Sequence, residues 1–136
     1  MSSLAAMSHG EAVLYVQHLE AMADFYERAL GLERGDEAKD FCELRTAAGW
    51  TLWLVPGKGT ASYDGTGAVR RRSEVPIKLC FVVAGIAAAR AAIDELGGRI
   101  SEGDWVFGGY RRADAIDPEG NVVQLLEACS ADAPGA

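Results

Sequence analysis

A carboxylate and an ammonium group stand at matching points of this chain. Glu11 opens the run Glu11-Ala12-Val13-Leu14-Tyr15-Val16, and Lys78 opens Lys78-Leu79-Cys80-Phe81-Val82-Val83, 67 residues further on. Facing one cavity, the two can form an ion pair that fills the site. They can also divide acid–base work, with Glu11 as general base and Lys78 holding the oxyanion that develops. Aromatic side chains accompany them. Alternation puts Tyr15 on the face of Glu11 and puts Trp53 on the corresponding face of its own strand. Trp105, Phe107 and Tyr110 punctuate Gly103 to Tyr110, which reads as a glycine-rich loop able to close over an opening. Aromatic walls with a few charges suit a flat, partly polar organic ligand.

Other chemistries are poorly served. No serine or cysteine triad is suggested. Cys42, Cys80 and Cys129 lack C-x-x-C spacing and read as reduced thiols. Gly57-Lys58-Gly59-Thr60 lacks the upstream glycine and the following helix of a phosphate loop. His18 reads as a helix-start residue. His9 shares the face of Glu11 if the first strand extends that far, but a lone terminal histidine reads as solvated.

The elements that must position these groups repeat. After Val16 the period changes from two to 3.6: Leu19, Met22, Ala23, Tyr26, Ala29 and Leu30 mark a helix that Gly31 closes. Ile86, Ala89, Ile93 and Leu96 mark a second helix, closed by Gly97-Gly98. Strand, turn, helix and glycine stop keep one register in both halves, so the chain reads as two copies of one unit. In the first half, strands are expected over Glu33–Glu37, Phe41–Thr46 and Trp50–Val55; in the second, over Arg99–Glu102, Arg111–Asp117 and Asn121–Glu127. Asp117-Pro118-Glu119-Gly120 reads as a type I turn. The expectation is an α+β fold of two βαβββ modules, 11–56 and 76–127, forming curved mixed sheets around a cavity. A 57–75 connection joins them, and tails occupy 1–10 and 128–136.

Hydrophobic residues make up 49% of the 136, enough for one core, and no apolar run approaches the roughly 18 residues of a membrane helix. A net charge of −7 argues against nucleic-acid and anionic-membrane partners. The basic run Arg70-Arg71-Arg72 reads as a solvated tract. The first ten residues lack a basic region and an apolar segment, so a cytoplasmic protein is expected.

Tyr15-Val16-Gln17-His18-Leu19-Glu20, Phe25-Tyr26 and Leu30-Gly31-Leu32 resemble the first module of the vicinal oxygen chelate superfamily. Asp117-Pro118-Glu119-Gly120-Asn121-Val122-Val123-Gln124-Leu125-Leu126-Glu127 is similar to its second-module signature. That superfamily includes glyoxalase I, bleomycin-resistance proteins, fosfomycin-resistance enzymes and extradiol dioxygenases. The resemblance implies paired modules, often across a dimer, and, in metal-using members, four ligands on the first and last strands of each module. Carried over by register, those positions are Glu11, Trp53, Lys78 and Gln124. An indole nitrogen only donates and a lysine repels a divalent ion, so no metal and no other cofactor is expected. The resemblance is nearest in character to the metal-free bleomycin-resistance branch. It implies a homodimer that binds a small organic ligand, an antibiotic or toxic metabolite, through Glu11, Tyr15, Trp53, Lys78, Trp105, Phe107, Tyr110 and Gln124. The alternatives are a metal-independent isomerase or lyase with Glu11 as base, and a divalent-metal enzyme with displaced ligands.

Overall fold

The computed structural model describes residues 10–57 and 69–129. The first sheet contains β1 (Glu11–Val16), β2 (Glu33–Ala38), β3 (Phe41–Arg45) and β4 (Thr51–Pro56), in the order β1-β4-β3-β2. The second contains β5 (Leu79–Val82), β6 (Arg99–Ile100), β8 (Tyr110–Ile116) and β9 (Val122–Ala128), in the order β5-β9-β8-β6, and β7 (Trp105–Phe107) pairs with β8. Helix α1 (Leu19–Asp24), continued by a π-helical turn over Phe25–Ala29, follows β1; α2 (Ile86–Glu95) follows β5.

The repeat is visible in the ladder. β1 runs parallel to β4 with Ala12 opposite Leu52, and β5 runs parallel to β9 with Leu79 opposite Val123. The chain is thus a mixed α+β fold of two similar sheet-and-helix halves. Both helices end as their glycines require. Gly31 and Gly97 take φ of 81° and 94°, a region other residues enter only at a cost. At α2 the Gly98 N–H returns to Ile93 O and the Gly97 N–H to Asp94 O, a Schellman closure. Gly98 is also a close approach: a Cβ there would meet Ile116 O and the Phe25 ring.

One core spans both halves. Met22, Phe25 and Tyr26 from the first helix and Ile93 from the second join Leu44, Leu52, Leu54 and Leu125, all fully buried. Tyr26 stacks obliquely on Phe81 at 5.6 Å, and Trp50 meets the same ring at 5.4 Å, so Trp50 belongs to the packing between halves. Two buried carboxylates add polar ties. Asp117 accepts the Tyr26 hydroxyl at 2.8 Å, and Glu119 accepts the backbone N–H groups of Gln17 and His18. His18 does start the helix, but its side chain makes no cap; Glu119, a hundred residues away, instead accepts the N–H of His18 itself and of Gln17 just before it. Likewise Gly85 has no capping side chain, and Glu127 accepts the Ile86 N–H at 2.8 Å.

Two expectations change here. Trp105 to Phe107 is a strand paired with β8 rather than a loop. The glycines make the turn: Gly108 and Gly109 have φ of 62° and 82°, the pair of positive values a tight two-residue hairpin needs. The basic run is also not simply solvated. Arg72 bridges in parallel to Asn121 and donates its N–H to Gly120 O at 2.8 Å, which docks this end of the 57–75 connection onto the second sheet. The remainder of that connection, 58–68, lies outside the described residues, as do the terminal segments expected as tails and His9.

Candidate functional site

Each sheet buries one face under its helix and leaves the other open. On β1 the core takes Ala12, Leu14 and Val16, leaving Glu11, Val13 and Tyr15 on the open face, where Val13 and Tyr15 are 53% and 59% exposed. Trp53 is opposite Val13 in the parallel ladder and shares that face. Its indole Nε1–H donates to Glu11 Oε1 at 3.0 Å, and the Phe41 ring packs edge-on against it at 6.1 Å. Glu11, Tyr15 and Trp53 therefore form one surface, as alternation requires.

On the second sheet Phe81, Ala113, Ala115, Val123 and Leu125 face the core, so Arg112, Asp114 and Gln124 face away. Lys78 Nζ lies 3.1 Å from both oxygens of Asp114, and Arg71 reaches the same carboxylate at 3.8 Å. Arg112 donates from Nη1 to Gln124 Oε1 at 2.9 Å and from Nε to Phe107 O at 3.1 Å. Its guanidinium carbon is 5.3 Å from the Phe107 ring centre and 5.8 Å from that of Tyr110. Trp105 is opposite Arg112 in the ladder. Lys78, Trp105, Phe107, Tyr110 and Gln124 are thus gathered on the second sheet.

The Glu11–Lys78 ion pair is not made within the chain. Glu11 is engaged by Trp53 and Lys78 by Asp114, a partner that lies on β8, opposite Gln124. No hydrogen bond, ion pair or ring contact joins the two groups of predicted residues among the described residues. A cavity of about 460 Å³ lies between β1 and β5, the adjacent edges of the two sheets. It is lined by Val13, Tyr26, Val75, Ile77 and Leu79 and takes only Glu11 of the eight.

Sequence reasoning missed Arg112, Asp114 and Arg71. A signal for the first two was present: Arg112 and Asp114 alternate with Ala113 and Ala115, which places them opposite the core.

The four positions that would hold a divalent metal do not fit one. Trp53 offers only a donor, Lys78 is a cation paired with Asp114, and the Gln124 oxygen is occupied by Arg112. Among the described residues no three His, Cys, Asp or Glu cluster as a metal site. The cysteines are free thiols, and burial pushes the Cys42 thiol up, making it less nucleophilic.

Residues 11–126 match the family model of the glyoxalase-like domain, and the chain belongs to that family, within the vicinal oxygen chelate superfamily. No curated protein matches the sequence significantly. Among solved structures, it is similar to a glyoxalase/dioxygenase from Nostoc punctiforme (17% identity, TM-score 0.67, covering 95% of this chain and 94% of that one). It is also similar to an antibiotic binding protein from a Streptomyces species (21%, 0.62, 91% and 98%). A third is a glyoxalase/bleomycin resistance protein from Albidiferax ferrireducens (22%, 0.61, 91% and 99%). At these identities the likeness is one of fold, and that fold hosts both binders and enzymes.

Proposed function

We propose that this chain is a metal-free, cytoplasmic, homodimeric binding protein for a small organic ligand, sequestering an antibiotic or toxic metabolite. The observation that carries this reading is the character of the two open faces. They present Tyr15, Trp53, Trp105 and Phe107 with a few fixed polar groups, and Trp53 and Lys78 stand at positions where metal-using relatives would need ligands. Tyr15 and Phe107 are 59% and 68% exposed, and Val13, Val75 and Ile77 are exposed near the sheet edges. So much exposed apolar surface suits a partner copy and a ligand held between opposing faces. The printed description of the Streptomyces relative, an antibiotic binding protein, supports the same direction. No helix among the described residues is long and apolar enough to cross a membrane.

The enzymatic alternative needs Glu11 as a general base. Glu11 is exposed and already accepts the Trp53 N–H, which suits a ligand-contacting group better than a base sheltered from water.

The test is elemental analysis together with native mass spectrometry on the purified protein. The expected result is a dimer mass without stoichiometric metal. A stoichiometric divalent metal would overturn the reading and redirect attention to Glu11 and His9.

A further inference from the structure

The second sheet's open face is positively charged in a protein that is acidic overall. Arg71, Lys78 and Arg112 stand there with one carboxylate, Asp114, while the whole chain carries −7. Lys78 and Arg71 share Asp114. Arg112, like Arg70, Arg72, Arg90 and Arg99, has no carboxylate within ion-pair distance among the described residues, whereas Arg28, Arg34, Arg45, Arg71 and Arg111 each have at least one. Its charge is nonetheless held in place. Nε is tied to Phe107 O, Nη1 to Gln124 Oε1, and the rings of Phe107 and Tyr110 flank the guanidinium. Nη2 makes no hydrogen bond to the described residues.

A guanidinium fixed by two neutral acceptors and two rings, with one amino group left over, is pre-organised for an incoming oxyanion. Little side-chain entropy remains to be lost on binding, and no internal carboxylate must be displaced. The Phe107 ring beside it is 68% exposed and Trp105, opposite Arg112 on β7, is 40% exposed, so a flat ring system can lie against aromatic surface while its anionic group meets Nη2.

We propose that Arg112 anchors an anionic oxygen group of the ligand, and that the ligand class is therefore flat aromatic acids: carboxylates, sulfonates or acidic phenols. This rests on the reading of the open faces as a ligand site and narrows what that site takes.

Two fluorescent probes separate the claims: anilinonaphthalene sulfonate, an aromatic anion, and phenylnaphthylamine, the same ring system without the sulfonate. The intact protein binds the anion more tightly than the neutral dye. Arg112→Gln lowers affinity for the sulfonate about tenfold and leaves the neutral dye unchanged, and Arg112→Lys, which keeps the charge but loses the planar fork, falls between. Thermal melts establish that both variants are folded, and Arg112→Lys carries the test if Arg112→Gln is not. Equal affinity changes for the two dyes, or none for either, overturn the anchor while leaving the aromatic site in place. Binding of both dyes that is indifferent to Trp53→Ala and Trp105→Ala, or no binding of either dye, overturns the site itself and the anchor with it.

Discussion

The carboxylate of Glu119 accepts the backbone N–H of His18 at 2.7 Å, joining the last turn of the second half to the first turn of α1. The Gln17 N–H reaches both oxygens of the same group, at 2.8 and 2.9 Å, and Glu119 is 2% exposed. Three effects coincide: orphan N–H groups at a helix start are satisfied, a negative charge sits at the positive end of α1, and two halves are tied together. Glu119→Ala leaves those part-buried N–H groups without this partner, and should cost about 1–3 kcal/mol. Glu119→Gln keeps one acceptor oxygen and should cost less than half as much. Urea unfolding of the three proteins decides it; equal stability would mean that Glu119 adds nothing to what packing and the Tyr26–Asp117 bond already supply.

Tyr26 and Asp117 give a pH-dependent prediction. The phenol is fully buried, and burial first, then the neighbouring Asp117 charge, pushes its pKa well above the ordinary value of about 10. The unfolded chain releases this proton near pH 10 while the folded chain keeps it. Between those two values the unfolded state binds fewer protons, so stability falls as pH rises above about 10, by up to roughly 1.4 kcal/mol per pH unit. Tyr26→Phe removes that slope and costs about 1–2 kcal/mol at neutral pH through the lost bond to Asp117. Unfolding free energies measured from pH 8 to pH 11 should converge for the two proteins; parallel curves would refute the assignment.

Much of this fold could be read from local chemistry. The change of period after Val16, the stops at Gly31 and Gly97, and the Asp117-to-Gly120 turn are each dictated by neighbouring residues, and the Gly120 N–H does return to Asp117 O at 3.0 Å. What stayed hidden was long-range. Nothing near Glu119 says that its acceptors serve Gln17 and His18, and nothing near Lys78 says that Asp114 will neutralise it, because both pairings depend on how strands distant in sequence come together. The aromatic hairpin is different: Gly108-Gly109 between Phe107 and Tyr110 carries the hairpin signal in the sequence, but so many glycines in one stretch read equally as a loop. The open-face placement of Glu11, Tyr15 and Trp53 followed from period two alone.

Arg34 gathers four carboxylates, Glu20, Asp24, Glu27 and Glu37, and so fastens β2 to α1. Its side chain is 16% exposed, whereas those of the four acids range from 37% to 73%, so the attraction is strongly screened by water and salt. Arg34→Met should cost about 1–2 kcal/mol at low salt, because four like charges then face one another, and the penalty should shrink as salt is added. The hydrogen bond and charge of Arg34 hold the Glu20 carboxyl below its usual range. That contribution is present above the ordinary glutamate pKa and is lost as pH falls through the lowered one, so the two proteins should also draw together in acid. A penalty indifferent to both salt and acid would show that Arg34 acts through the packing of its stem.

In the proposed reading Glu11, Trp53, Lys78 and Gln124 occupy the positions at which metal-using relatives place ligands, and Trp53 and Lys78 are the two that defeat metal binding. Supplying imidazoles at both is the direct test. Trp53→His combined with Lys78→His would provide two neutral nitrogen donors beside the oxygens of Glu11 and Gln124, a set of the kind borderline divalent metals favour. Cobalt(II) is a suitable probe, since its visible absorption reports ligand number and geometry. The double variant should bind it with a ligand-field spectrum that the parent protein lacks, while each single variant, still carrying either a donor-only indole or a cation, should bind far more weakly. Affinity should fall as pH drops below about 6.5 and the new imidazoles protonate. If the double variant behaves like the parent, the four positions do not converge on one point in the assembled protein, and the register that places Glu11 with Lys78 and Trp53 with Gln124 describes the repeat but not a shared site.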